Sequence, residues 1–413
     1  MDRKRVVAWA LYDFAGSVYS AVIATVLFSV YFIETIVGNE AGRGDELWGW
    51  VMSVSVAMVA VSSPLFGGIA DRAGVRKRFL VAYTLFGAGA VALFATLEPG
   101  MVVTAAVLAV MANFGFEGAL VFYNAWLPEI ADREHQGRVS ALGFGLGYAA
   151  SALGLLAAVP LAVAERYDVL WIAVALWWVG FSLPAFLVLP EAPGRGEGIV
   201  DAAVRGLRDF RGVAGDVLAV PDLRRFLLAF FFYIDGVLTV IVFAASYSTG
   251  TLGFSDLERI GLFLVVQLSA LAGAFAMAKP TDVIGPRRVI TGVIVLWVAV
   301  VVAAYFIDSK TAFFVAAVVA GSGLGSIQAA SRSFMATLIP EGKEAEMFGF
   351  YAFCGKSSSI LGPLIFGTVS AWTGGNQRLA ILSLIPMFVI GGTLLQRVRD
   401  PVAQRRALEG GAA

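Results

Sequence analysis

The sequence predicts an all-α membrane protein, with twelve transmembrane helices arranged as two six-helix bundles. Three observations predict this class. Of the 413 residues, 59% are hydrophobic and only 15% are charged, against about 25% charged in an ordinary soluble domain. The apolar residues fall in blocks of roughly 20, the length at which a helix crosses the hydrocarbon core. Lys and Arg alternate between rich and poor connections along the chain, which a soluble protein has no reason to do.

Taken in order, the spans run over 6–37, 47–71, 79–97, 102–126, 138–163, 169–189, 224–249, 258–281, 288–307, 311–336, 346–372 and 376–395. The first block follows Arg3-Lys4-Arg5 directly, carries Asp13 and is too long for the apolar core of a signal peptide, so it reads as a span. The connections are short except Pro190–Leu223. The chain therefore divides into an N-terminal bundle (1–189), a linker (190–223), a C-terminal bundle (224–400) and a tail (401–413). In the linker Val200, Val204, Leu207, Phe210, Ala214, Val217 and Leu218 recur at helical spacing, with Arg205, Arg208, Asp209 and Arg211 between them. This is either an amphipathic helix lying on the membrane surface or a tether whose arginines fix the topology.

The rich connections carry, among others, Arg72, Arg76, Lys77, Arg78, Arg138, Arg287 and Arg288, and both termini are basic. The opposite connections hold Arg43, Arg166, Arg259, Lys310 and Arg378. The bias of roughly four to one puts both termini on the cytoplasmic side. Arginine greatly outnumbers lysine, and Ala, Gly and Val dominate. That composition suggests a bacterial source, and hence the cytoplasmic membrane.

Cys354 is the only cysteine and His135 the only histidine. Disulfide frameworks, multi-histidine metal sites and histidine triads are excluded. No nucleophile–base constellation stands at the interface, so an enzyme is not expected. Nor is a cofactor, a metal or a nucleic-acid partner. The expected partners are a small-molecule substrate, membrane lipid and, if transport is coupled, a proton. A monomer is expected.

Two landmarks recur in both halves. Asp71-Arg72-Ala73-Gly74-Val75-Arg76-Lys77 closes the second span, and Asp282-Val283-Ile284-Gly285-Pro286-Arg287-Arg288 closes the eighth. Leu127-Pro128-Glu129 closes the fourth span and Ile339-Pro340-Glu341 the tenth. A looser pair is Tyr12-Asp13 with Tyr233-Ile234-Asp235. The repeat is parallel, with its axis along the membrane normal.

The twelve-span pattern and the Asp71–Lys77 loop resemble the major facilitator superfamily. Further stretches sharpen the resemblance: Trp9–Ser17, Phe122–Glu129, Gly137–Phe144, Asp235-Gly236, Ser331-Arg332-Ser333, Phe348–Tyr351 and Lys356 with Gly362-Pro363. These look like the unknown-major-facilitator branch, which includes the autophagy-related vacuolar amino-acid effluxers of fungi. The resemblance covers nearly the whole chain. It implies a secondary transporter with amino acids as the leading substrate class.

Charges inside hydrocarbon need a cavity or a partner, so depth ranks the candidates. Asp235 lies near the middle of span seven with Thr239 and Ser246 on its face. Lys356 lies at similar depth in span eleven near Tyr351, and Glu117 in span four with Asn113 and Asn124. These three either line a central cavity or pair with one another as structural links. Asp13 is shallower and either binds a coupling proton, binds a substrate amine, or snorkels. Arg332, one turn after Gln328, either meets substrate, snorkels or pairs with a carboxylate. The expected substrate-binding set is Lys356, Asp235, Glu117, Asn124, Tyr351, Gln328 and Arg332, and the coupling-ion candidates are Asp13, Asp235 and Glu117. Asp71, Arg72, Arg76, Asp282 and Arg287 sit at the inner membrane edge. There they form a conformational gate of breakable ion pairs, or serve topology alone.

The expected mechanism is alternating access on a zwitterion, with Lys356 receiving a carboxylate and an acid receiving an amine. An acid that carries a proton would couple transport to the proton gradient; a charge-balanced site would work as a uniporter. Direction stays open. The rival readings are a proton-driven effluxer of apolar or cationic compounds and a non-transporting sensor or scaffold.

Overall fold

The computed structural model describes residues 2–38, 43–191, 194, 197–198, 201–204, 215, 217, 219–250, 252–358, 361–374, 376–400 and 402. Every regular element among them is helical, as lipid demands: a helix satisfies its own backbone polar groups.

The first span is one helical run, Arg3–Val37. It opens as α1 (Arg3–Val18), capped by the Asp2 carboxylate on the Lys4 amide at 2.9 Å, and continues through wider π-type turns. The helices α2 (Arg43–Ala73), α3 (Arg76–Leu93), α4 (Val102–Asn124), α5 (Gln136–Val163) and α6 (Tyr167–Val188) follow. The second half holds α7 (Pro221–Gly250), α8 (Asp256–Ile284), α9 (Pro286–Phe306) and α10 (Lys310–Leu338). It ends with α11 (Glu344–Ser358), α12 (Leu361–Trp372), α13 (Gln377–Leu382) and α14 (Ile385–Gln396). Starts follow local chemistry. Ser255 and Glu258 form a reciprocal cap on α8, Ser309 caps α10, Asn376 caps α13, and Pro286 opens α9.

Among the described residues, ten helical runs are long and apolar enough to cross a bilayer. Within the eleventh expected span, α11 covers Glu344–Ser358 and α12 covers Leu361–Trp372, and residues 359–360 lie outside the described residues. Of the linker, residues 205–214, which carry Arg205, Arg208, Asp209 and Arg211, lie outside the described residues, as does most of the tail.

The chain forms two compact units, and each draws on both halves of the sequence. Unit 1 holds 1–130 and 146–213 together with 340–353, the first turns of α11. Unit 2 holds 214–339 and 354–413 together with 131–145, the first turns of α5. In unit 1 large aromatics fill the core: Phe28 stacks on Phe94 at 3.8 Å between ring centres, and Trp9 on Tyr123 at 4.5 Å. In unit 2 small residues bring backbones together, with Ala141, Ala274 and Ala329 forming one buried contact between α5, α8 and α10.

Candidate functional site

The Asp71 loop and its echo adopt one backbone design. Gly74 and Gly285 both have positive φ, 68° and 94°, a conformation that costs a glycine little and an L side chain much. Each turns the chain from the end of one helix into the start of the next. That turn leaves Asp71 at the end of α2 and Asp282 at the end of α8.

In unit 1, Arg76 is almost completely buried, with 1% of its side chain exposed. Its Nη2 donates to Asp71 Oδ1 at 2.9 Å and to Glu344 Oε2 at 3.1 Å. Its Nη1 donates to Glu129 Oε1 at 2.6 Å and to the Ala125 carbonyl at 3.0 Å. The second oxygen of Asp71 accepts the Glu346 amide at 2.9 Å, in the first turn of α11. One guanidinium thus gathers three carboxylates, and one of those carboxylates also caps a helix start.

Unit 2 carries the counterpart. Asp282 Oδ1 accepts the Gly137 amide at 2.7 Å, and Oδ2 accepts the Arg138 amide at 3.3 Å and Arg138 Nε at 3.0 Å. These donors belong to the first turn of α5. One turn further, Arg332 reaches the same helix. Its Nε donates to Ser140 Oγ at 3.0 Å, its Nη2 to the Ser140 carbonyl at 2.6 Å, and its guanidinium lies 3.9 Å from the Phe144 ring centre. Ser140 Oγ donates in turn to the Ala329 carbonyl at 2.8 Å.

The two clusters differ in their arginine. Arg287, the counterpart of Arg76, turns to the chain end: Nη1 donates to the Val398 carbonyl at 3.0 Å, and its amide donates to Asp400 Oδ2 at 3.1 Å. The residue at the place of Glu129 in the echo is Glu341, which is exposed, whereas the Glu129 side chain is 26% exposed and bonded to Arg76. Arg72 is half-buried at the end of α2.

The deeper candidates fall into both units. In unit 1, Tyr123 Oη donates to Asp13 Oδ2 at 3.0 Å, while Trp9 Nε1 donates to the Tyr123 carbonyl at 2.8 Å. Tyr12 Oη shares a 2.7 Å hydrogen bond with Thr84 Oγ1. Asp13 is therefore held in an aromatic wall made by α1 and α4. Glu117 and Asn124 on α4, and Tyr351 on α11, are half-buried. In unit 2, Asp235 is fully buried, accepting the Gly362 amide at 2.8 Å and Thr239 Oγ1 at 3.1 Å. Gly362 lies on α12. A Cβ on Gly362 would stand 2.6 Å from Asp235 Oδ1, so the approach requires glycine. Lys356 in the last turn of α11 and Gln328 on α10 are half-buried.

Sequence reasoning brought Asp71 and Arg76 together, and Asp235 with Thr239. It missed Glu344, Glu346, Tyr123 and Ser140 as partners. The signal for the two glutamates was their place just after Pro340, in a helix first turn where carboxylates are favoured. Tyr123 and Ser140 carry no signal of their own, because a long-range hydrogen bond leaves no spacing to read.

The family model described as "Vacuole effluxer Atg22 like" matches residues 49–407. The chain is 30% identical over 409 residues to the uncharacterized MFS-type transporter YxiO of Bacillus subtilis (strain 168), covering 95% of this chain and 94% of that protein. It is 26% identical over 453 residues to autophagy-related protein 22 of Coccidioides immitis (strain RS), covering 87% and 74%. Among solved structures, the human organic anion transporter MFSD10 (TETRAN) superposes with a TM-score of 0.74 at 18% identity, over 96% of this chain and 100% of that one. The proton:xylose symporter XylE superposes with a TM-score of 0.73 at 12% identity, over 96% and 95%. At those identities the two structures share the fold.

Proposed function

Since the chain belongs to the Atg22-like branch of the major facilitator superfamily and is a multi-pass secondary transporter, not an enzyme, we propose that it carries an amino acid or related zwitterion by alternating access. The fold that carries this out is twelve spans in two six-helix bundles, 1–189 and 224–400, joined by the linker 190–223 and followed by the tail 401–413.

The observation that carries the reading is the doubled clasp. Asp71 holds the first turn of α11 and Asp282 the first turn of α5, each through amide hydrogen bonds reinforced by an arginine. Contacts of this kind, repeated in both halves, are discrete and breakable, as a two-state carrier requires. Asp71, Arg76 and Asp282 form the gate; Arg72 flanks it, and Arg287 anchors the chain end that braces α9.

A zwitterion is supported by opposite charges within one unit, Lys356 and Asp235. Lys356 receives the carboxylate. Asp235, which also accepts the Gly362 amide, receives the amine, and Gln328 on α10 adds an amide to the same unit. Within unit 1, Glu117, Asn124 and Tyr351 are the candidate polar groups for substrate. Arg332, committed to Ser140, supports the clasp more than the substrate. Asp13, next to the Tyr123 hydroxyl, is the coupling site for a proton, with Asp235 and Glu117 as the other acids at depth. The Lys/Arg bias supports cytoplasmic termini, and the composition supports a bacterial cytoplasmic membrane. The carrier works as a monomer.

The test is uptake into proteoliposomes under an imposed pH gradient, with amino acids, peptides, sugars and dyes as substrates. The reading expects amino acids to accumulate when the gradient is present. Accumulation of sugars or dyes with no amino-acid flux contradicts it.

A further inference from the structure

The interior of unit 2 is not fully packed. A cavity of about 200 Å³ lies among α7, α8, α9, α10 and α13. Alanines leave the space: Ala244 on α7, Ala304 on α9, and Ala316, Ala317 and Ala320 on α10. Phe313, Leu262 and Trp297 close its walls, and Ser248 and Gln267 are the polar residues on its lining. An apolar void of ~150 Å³ already stays dry and accepts benzene. A larger one with this lining holds hydrocarbon in preference to water.

A second hollow lies beside it. A groove between α9 and α10 is lined by Gly292, Val295, Ala299, Ala312, Val315 and Val319. Val295 is 64% exposed and Val315 61%, on helices whose apolar length suits a bilayer. That face is bathed in acyl chains. Val300 and Ala316 line both the groove and the cavity, so the two hollows share one thin wall made of a valine and an alanine.

We infer that unit 2 is a lipid-binding module: an acyl chain of a bilayer phospholipid lies in the α9–α10 groove and inserts its end past Val300 and Ala316 into the interior cavity. The headgroup stays outside, because the groove lining is apolar throughout. The chain end replaces contacts that the surrounding side chains otherwise lack. This site is separate from the zwitterion reading and stands without it.

The experiment uses the full-length protein reconstituted with a phospholipid bearing a photoreactive diazirine near the end of one acyl chain. Adducts are mapped to single residues by mass spectrometry. The proposal expects adducts on cavity residues that bilayer lipid cannot otherwise reach, Trp297 and Leu262, alongside groove adducts at Val295 and Val315. Ala320→Leu, which fills the cavity, should reduce the interior adducts at least tenfold and leave the groove adducts. Ala316→Phe, which thickens the shared wall, should do the same by blocking entry. Wild-type adducts confined to Val295, Val315 and other exposed positions overturn the proposal whatever the variants do. So do interior adducts that persist unchanged in a folded Ala320→Leu protein.

Discussion

Asp71 and Asp282 are repeat counterparts, and each carboxylate accepts a backbone amide from the first turn of a helix contributed by the other half of the sequence. Asp71 holds Glu346 at 2.9 Å and Asp282 holds Gly137 at 2.7 Å. The same loop, turned by Gly74 and by Gly285, thus performs the same task twice. The arginine beside it does not: Arg76 binds three carboxylates, while Arg287 binds carbonyls of the chain end.

Arg76→Ala leaves Asp71, Glu129 and Glu344 crowded together without their guanidinium. Removing one side of a buried ion cluster costs about 3–5 kcal/mol. The purified variant should show a lower thermal midpoint and lose transport. Arg76→Lys should recover only part of the stability, because an ammonium cannot fork to three carboxylates and a carbonyl. Wild-type stability in the lysine variant would remove the fork from the account.

Asp282→Ala removes a charge-assisted cap from α5. Hydrogen bonds to charged groups contribute about 1.5–3 kcal/mol each. Amide exchange in the stretch 137–140 should therefore accelerate roughly tenfold to a hundredfold. Arg287→Ala should spare that stretch and loosen 396–400 instead, since its contacts are with Gln396 and Val398. The two exchange patterns separate a gate residue from an anchoring one.

Gly362→Ala puts a methyl group 2.0 Å from Thr239 Oγ1 and 2.6 Å from Asp235 Oδ1 and should disrupt the hydrogen bonds between Asp235, Thr239 and the Gly362 amide. A cost of about 1–3 kcal/mol is expected from such overpacking, read as a fall in transport of about tenfold or more. Gly367 lies on the same helix with open space around it. Gly367→Ala should be tolerated, and an equal loss in both variants would point to helix propensity and not to the contact with Asp235 and Thr239.

The fold was largely legible because lipid leaves the chain few options. Apolar block length, Lys/Arg alternation and the repeated Asp-x-x-Gly-x-Arg loop each constrain the same architecture. The partners were harder. An acid at depth does not announce what it holds: Asp235 accepts the Gly362 amide as well as the Thr239 hydroxyl. Arg332 shows the same ambiguity: its depth suggested substrate, a carboxylate or snorkelling, and Ser140 on α5 is among its partners. Asp282 and Arg287 are five residues apart, as Asp71 and Arg76 are, yet Asp282 holds Arg138 and Arg287 holds carbonyls of the chain end.

The central claim is that this carrier exchanges zwitterions through a site containing Lys356 and Asp235. Counterflow in proteoliposomes, with no gradient imposed, tests it most directly. Vesicles loaded with one unlabelled amino acid should take up the labelled form, while Lys356→Met and Asp235→Asn vesicles should lose most of that exchange. Exchange of a neutral sugar but of no amino acid, or both variants exchanging like wild type, would contradict the account.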